Sequence, residues 1–121
     1  MSVDYHEAPD VLDERTKNIA RALTSLKEEI EAVNWYNQRV AASNDESLKA
    51  ILAHNRDEEI EHACMALEWL RRNMPEFDTQ LRTYLFKDAP VTEIEGDQGG
   101  EPGSPSAKSG TGLSIGSMKN K

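Results

Sequence analysis

The distribution of glycine constrains the fold of this chain more than any other feature of its sequence. All seven glycines lie between Gly96 and Gly116, and the preceding residues 1–95 contain none. Glycine is the usual residue of tight turns and weakens the interior of a helix. We therefore expect residues 1–95 to form one all-α domain. Residues 96–112, rich in Gly, Ser and Pro, are expected to form a flexible linker.

Apolar residues in the first domain recur at alternating spacings of three and four, the period of an amphipathic helix. The pattern predicts one long helix over residues 12–41 and another over residues 45–72. Ser43 and Glu46 have the spacing of a capping box at the start of the second helix. The short connection between the two helices predicts an antiparallel hairpin.

Proline marks the end of the second helix and the end of the ordered part. Pro75 cannot continue the helical hydrogen-bond ladder, so the second helix is expected to stop before it. A short third helix is predicted over residues 75–86, and Pro90 is expected to close the ordered region. The predicted fold is therefore a two-helix hairpin followed by a short C-terminal helix.

A Glu-x-x-His motif lies inside the second helix. Glu59 and His62 are three residues apart, so they project from one face, and that face is otherwise apolar except for Asn55. Glu29 similarly interrupts an apolar row of the first helix. Ionisable groups in such rows need a partner or a metal ion. We predict a buried di-metal site; the alternative is a core histidine paired with a local carboxylate.

One hairpin has no enclosed core, whereas two hairpins can form a four-helix bundle. Ferritin-like di-iron proteins place a Glu on each of two helices and a Glu-x-x-His on each of the other two. Two copies of Glu29, Glu59 and His62 supply that set. Carboxylates with imidazole suit Fe(II) or Mn(II). Tyr36, seven residues after Glu29, is placed to donate a hydrogen bond near the site.

Two weaker groups of polar residues lie on neighbouring helix faces. Either group could bind a cation at an interface between dimers, but the spacing alone favours solvated acidic faces. The groups comprise Glu28, Glu31 and Trp35 on the first helix, and His54, Glu58 and Glu61 on the second.

Charge and composition exclude several classes of function. The formal net charge of −8 argues against nucleic-acid binding, which needs a basic surface. No apolar run approaches the ~20 residues of a membrane span, and the N-terminus lacks the pattern of a signal peptide. Cys64 stands alone, which excludes an intrachain disulfide and favours a reducing compartment. We expect a soluble, cytosolic protein.

Two segments of the chain closely resemble the encapsulated ferritins. They are LKEEIEAVNWY at residues 26–36 and ILAHNRDEEIEHA at residues 51–63, and the resemblance continues through residues 67–73 and 81–86. It implies a hairpin subunit and a ferroxidase centre formed between two subunits. It also implies dimers that assemble into a ring-shaped decamer.

The resemblance also assigns roles by position. Glu29, Glu59 and His62 match the iron ligands of the ferroxidase centre, which implies two Fe per dimer interface. Glu28, Glu31 and Trp35 match a site through which metal enters, and His54, Glu58 and Glu61 match an outer metal site.

The end of the chain carries an apolar motif, Leu113-Ser114-Ile115-Gly116-Ser117-Met118. Composition alone leaves two options open, docking into an extended groove and a tail without a role. The motif resembles the peptide that docks cargo inside encapsulin shells, with Met118 where Leu is commoner. Residues 113–121 are therefore expected to target the chain to an encapsulin nanocompartment in the cytoplasm.

The function implied is a ferroxidase that oxidises Fe(II) and feeds iron storage inside the shell. The alternative is a non-catalytic, divalent-metal-binding protein that forms a structural ring or serves as cargo.

Overall fold

The computed structural model describes residues 5–99, and within this range the chain is helical. It contains a short 3-10 turn at Pro9–Val11 and four α-helices, α1 (Glu14–Ala42), α2 (Glu46–Asn73), α3 (Pro75–Tyr84) and α4 (Val91–Gly99). No strand occurs between residues 5 and 99, so the all-α prediction is confirmed. The predicted docking motif, residues 113–118, lies outside the described residues. The chain divides into two compact units, with the boundary after Asp78.

Helices α1 and α2 pack against each other as the predicted hairpin. The Arg15 side chain, near the start of α1, donates a hydrogen bond of 2.7 Å to the carbonyl of Asn73 at the end of α2. Farther along the pair, Arg56 donates to the side chain of Asn37 at 3.0 Å. Because the start of one helix meets the end of the other, the pair is antiparallel.

The cap between the two long helices differs from the predicted one. The carboxylate of Asp45 accepts a hydrogen bond of 2.9 Å from the backbone N–H of Leu48, which makes Asp45 the N-cap of α2. Ser43 instead follows the last residue of α1, and its N–H donates to the carbonyl of Arg39. The prediction of a capping box formed by Ser43 and Glu46 was therefore wrong. A charged acceptor directly before the first turn also interacts favourably with the helix dipole.

Helix α4 extends the helical part of the chain beyond the predicted end at Pro90. The Pro90 carbonyl accepts hydrogen bonds from the N–H groups of Glu93 and Ile94, so Pro90 starts a helix. Proline is tolerated there because an N–H at a helix start has no intrahelical acceptor. The helix reaches into residues 96–99, which the glycine distribution assigned to the linker.

The packing of the described chain leaves almost nothing fully buried. Between residues 5 and 97 only Ile19 and Leu70 are buried, with 8% and 0% of their surface exposed. Large apolar side chains are instead exposed along α1 and α2, including Leu23, Ile30, Trp35, Leu48, Ile51, Ile60, Met65 and Trp69. Despite this surface, no helix between residues 5 and 99 is both long and apolar enough to cross a bilayer. The hairpin therefore lacks the enclosed core that a stable domain needs.

An ion-pair cluster lies at the C-terminal end of α2. The Glu68 carboxylate accepts hydrogen bonds of 2.8 Å from two nitrogens of Arg71 and one of 2.7 Å from Arg72. Arg71 also donates to Asp78 on α3. These bonds, chiefly those from Arg71, lower the pKa of Glu68 from 4.5 to about 2.

The lowered pKa of Glu68 predicts a loss of stability in acid. Because the folded-state pKa lies below the unfolded value, the stabilisation is complete above pH 4.5 and is lost as the pH falls toward about 2. The free energy of unfolding of wild type should therefore exceed that of Glu68→Gln at neutral pH, and the gap should narrow across this window. Urea unfolding at a series of pH values measures the gap. Glu7→Gln, which removes an exposed carboxylate near the N-terminus, is the control, and an equal pH dependence in both variants would contradict the assignment.

Candidate metal centre

The candidate centre is formed by three side chains that lie near the midpoints of the two long helices. Helix α1 carries Glu29, and α2 carries Glu59 and His62. The Nδ1 atom of His62 lies 3.6 Å from Oε1 of Glu29 and 3.4 Å from Oε1 of Glu59. One ligand atom from each residue falls within 4.8 Å of the others, and no other group of three His, Cys, Asp or Glu residues between 5 and 97 does so.

The three side chains are not enclosed within one chain. Glu29 and Glu59 retain 28% and 25% of their side-chain exposure, and His62 retains 44%. A single copy of the chain therefore does not bury the predicted site. One side of the group stays open, and an additional element could complete it there.

The two carboxyl groups of the centre interact with each other. The pKa of Glu29 is raised from 4.5, first by a hydrogen bond with the Glu59 carboxyl group, then by partial burial and by the charge of Glu59. His62 acts in the opposite direction and only partly offsets these effects. Two carboxylates held this close disfavour both being ionised, and a bound cation would remove that repulsion.

The donor atoms decide which metals fit. Two carboxylates and one imidazole suit Fe(II) or Mn(II), whereas structural zinc sites commonly include thiolates. Cys64 is exposed and does not belong to the group. The chain therefore presents one group of two Glu and one His whose donor atoms suit a divalent metal ion.

The residues of the predicted uptake site are largely exposed. Glu28 is half-buried, while Glu31 and Trp35 are exposed. Tyr36, predicted to donate a hydrogen bond near the centre, is half-buried, and the guanidinium carbon of Arg39 lies 5.0 Å from the centroid of its ring. That distance is typical of a cation–π contact.

The predicted outer site is likewise spread over an exposed face, since His54, Glu58 and Glu61 are all exposed. One of them has a neighbour that the sequence analysis missed. Oε1 of Glu58 lies 4.0 Å from Nε2 of His62. The i, i+4 spacing of these two residues on a helix is the signal that could have revealed the pair.

Comparison with known proteins gives consistent matches. Residues 4–88 match the EncFtn-like family. A ferritin-like protein of Thermotoga maritima is 59% identical over 100 residues, covering 83% of this chain and 88% of the relative. An encapsulated ferritin-like protein of Rhodospirillum rubrum is 54% identical over 123 residues, covering 96% of this chain and 88% of the relative. An encapsulin nanocompartment cargo protein of Myxococcus xanthus is 29% identical over 110 residues, covering 84% of this chain and 85% of the relative.

A solved structure supports the same conclusion. The crystal structure of a protein from Nitrosomonas europaea superposes with a TM-score of 0.70 at 56% sequence identity, covering 72% of this chain and 96% of that one. The family match, the levels of identity and the shared fold agree. This chain therefore belongs to the EncFtn-like family and is related to encapsulated ferritin-like proteins.

Proposed function

We propose that this protein is a ferroxidase that oxidises Fe(II) to Fe(III) at a di-iron centre shared by two copies of the chain. Each copy supplies Glu29, Glu59 and His62 as ligands. The observation that carries the proposal is the convergence of these three side chains from two helices into one group with an open side.

The exposed surface supports pairing. The long helices leave large apolar side chains in water, and between residues 5 and 97 only Ile19 and Leu70 are buried. A second hairpin laid against the open side would cover these faces as a four-helix bundle and bring three further ligands. The resemblance to encapsulated ferritins extends the proposal to a ring-shaped decamer of such dimers.

The electrostatics of the centre also favour divalent cations. The pKa of Glu29 is raised mainly because the Glu59 carboxyl group is its neighbour, and pairing two copies would bring four such carboxyl groups together. Two divalent cations would match the charge of four carboxylates. The ligands are hard oxygen donors with one imidazole per copy, which suits iron.

In the proposed reaction iron is the substrate. Each Fe(II) loses one electron. With two protons from solvent, the pair of electrons reduces dioxygen to hydrogen peroxide or hydrogen peroxide to two molecules of water. Glu29, Glu59 and His62 hold the two ions in fixed positions, and the carboxylates stabilise the higher charge of Fe(III). The oxidised iron then leaves for storage.

The other assigned residues complete the proposal. The helical part of the chain, up to Gly99, forms the catalytic domain. The following residues up to 112 form a linker, and residues 113–121 form a peptide that binds an encapsulin shell, which would place the protein in a nanocompartment of the cytoplasm. The names of the Rhodospirillum rubrum and Myxococcus xanthus relatives support this location. Separate metal sites are proposed at Glu28, Glu31 and Trp35, for uptake, and at His54, Glu58 and Glu61, on the outer face.

The activity is tested by stopped-flow mixing of the protein with Fe(II) in aerobic buffer, followed by the absorbance of Fe(III). We expect oxidation faster than in buffer alone, with a rapid phase that saturates at two Fe(II) per dimer. Tight Fe(II) binding without accelerated oxidation would contradict the proposal and favour the alternative, a metal-binding ring without catalysis. Native mass spectrometry of the same sample gives the oligomeric state.

The targeting role predicts a separable effect. Deleting residues 113–121 is expected to abolish co-purification with a co-expressed encapsulin shell, because the apolar docking side chains are lost. Fe(II) oxidation by the truncated protein should stay at the wild-type rate, since the ligands lie on α1 and α2. Loading that survives the deletion would refute the docking role without affecting the ferroxidase assignment.

A further inference from the structure

We propose that Glu58 is a positioning residue for His62, which it would orient by accepting a hydrogen bond from Nε2–H so that Nδ1 is presented to the metal. The inference rests on the proposed di-iron centre. It gives Glu58 a role distinct from binding a cation on the outer face.

The two nitrogens of the His62 ring face different groups. Nδ1 points into the centre, 3.6 Å from Glu29 and 3.4 Å from Glu59. Nε2 points away from it, toward the Glu58 carboxylate at 4.0 Å. Nδ1 is therefore the atom placed to bind iron.

The distance between Glu58 and Nε2 can close without movement of the backbone. It exceeds the about 2.7–3.2 Å of a direct hydrogen bond. Residues at i and i+4 lie on the same side of a helix, so the two side chains are already aligned. Glu58 is exposed, and rotation of its side chain or one bridging water would complete the bond.

The hydrogen bond matters because a neutral imidazole carries a single N–H. Metal binds only the ring nitrogen that lacks the proton. With Glu29 and Glu59 bound to the metal, an acceptor at Nε2 would keep the proton there and leave the lone pair of Nδ1 free. A carboxylate in that position also makes the imidazole a stronger donor to the metal.

The chain offers a matched control in Asp57. It is an exposed carboxylate adjacent to Glu58 in the sequence, and it accepts a hydrogen bond of 3.1 Å from Arg56. Replacing Asp57 removes the same charge at the neighbouring position of the helix. A general charge effect would therefore appear in both variants, and a positioning effect only in Glu58→Ala.

A first test is made with metal bound, because in the metal-free protein the Glu29 and Glu59 carboxylates, 3.6 and 3.4 Å from Nδ1, compete for the ring proton. Nitrogen-15 NMR of the full-length protein loaded with Zn(II), a diamagnetic ion, reports which nitrogen of each histidine ring binds metal and which carries the proton. His62→Gln identifies the His62 signal. We expect metal on Nδ1 and a proton on Nε2 in wild type and in Asp57→Ala, and a mixture of Nδ1-bound and Nε2-bound rings in Glu58→Ala. An unchanged His62 pattern in Glu58→Ala would overturn the inference.

A second test measures binding of Co(II), whose visible absorption reports its coordination. Only the part of the Co(II) absorption that is lost in Glu59→Ala is assigned to the proposed centre. We expect Glu58→Ala to weaken this binding by about 10-fold or more, Glu58→Gln to retain part of it because its amide oxygen still accepts, and Asp57→Ala to match wild type. Sedimentation verifies that the variants assemble alike.

The outcomes separate the two proposals. Wild-type affinity in Glu58→Ala, with binding lost in Glu59→Ala, would refute the positioning role and leave the di-iron centre standing. If Glu59→Ala shows the same Co(II) absorption as wild type, the di-iron centre itself is refuted.

Discussion

Replacing Glu59 by alanine is expected to abolish the rapid oxidation of Fe(II). The substitution removes one of three ligands from each copy and therefore two from the shared centre. Loss of groups that only support a metal ligand commonly costs about 10–100-fold, so loss of a ligand should lower the rapid phase by more than about 100-fold. Stopped-flow absorbance under the conditions used for wild type measures the effect.

The same loss is expected for Glu29→Ala and His62→Ala, because the three side chains form one group. Glu93→Ala is the matched control, since it removes an exposed carboxylate from α4. Circular dichroism would verify that each variant keeps its helices. Wild-type rates of Fe(II) oxidation in all three ligand variants would contradict the assignment of the centre.

Replacing Leu70 by alanine should cause a large loss of stability. Leu70 is completely buried at 0% exposure, and truncating a buried leucine leaves a cavity and removes apolar contacts. The expected cost is about 2–5 kcal/mol, a large fraction of the about 5–15 kcal/mol typical of folded domains. Urea unfolding monitored by circular dichroism measures the free energy of unfolding.

Val11→Ala is the control for that substitution, because Val11 is 69% exposed in the 3-10 turn before α1. Its effect should stay within about 0.5 kcal/mol. Equal losses in the two variants would show that the burial of Leu70 does not contribute to the stability of the fold.

The long helices could be predicted closely because their apolar period runs over many turns. The predicted ranges of 12–41 and 45–72 differ by at most two residues from Glu14–Ala42 and Glu46–Asn73. The cap was missed because Ser43 and Asp45 are both good N-cap residues, and the backbone of the connection decides between them. The continuation into α4 was missed because a proline signals equally the end of one helix and the start of another.

The three residues of the centre could also be predicted, since each breaks an apolar row of a long helix. Their exposure could not, because an apolar row indicates burial without saying whether the same chain or another copy provides it. The contact between Glu58 and Nε2 of His62 depends on side-chain rotation. Sequence spacing limits that rotation but does not determine it.

The position of the three ligands along the helices has a consequence for symmetry. In the proposed pair, a shared site must lie on or beside the twofold axis that exchanges the two copies. The ligands lie near the midpoints of α1 and α2. A twofold axis that passes through them perpendicular to the helices therefore lets the two hairpins overlap along their whole length. Lengthening the hairpin at one end by a full turn would shift its midpoint away from the axis. The copies could then align their ligands only by leaving part of each helix uncovered, so the length of the hairpin and the location of the metal centre are mutually constrained.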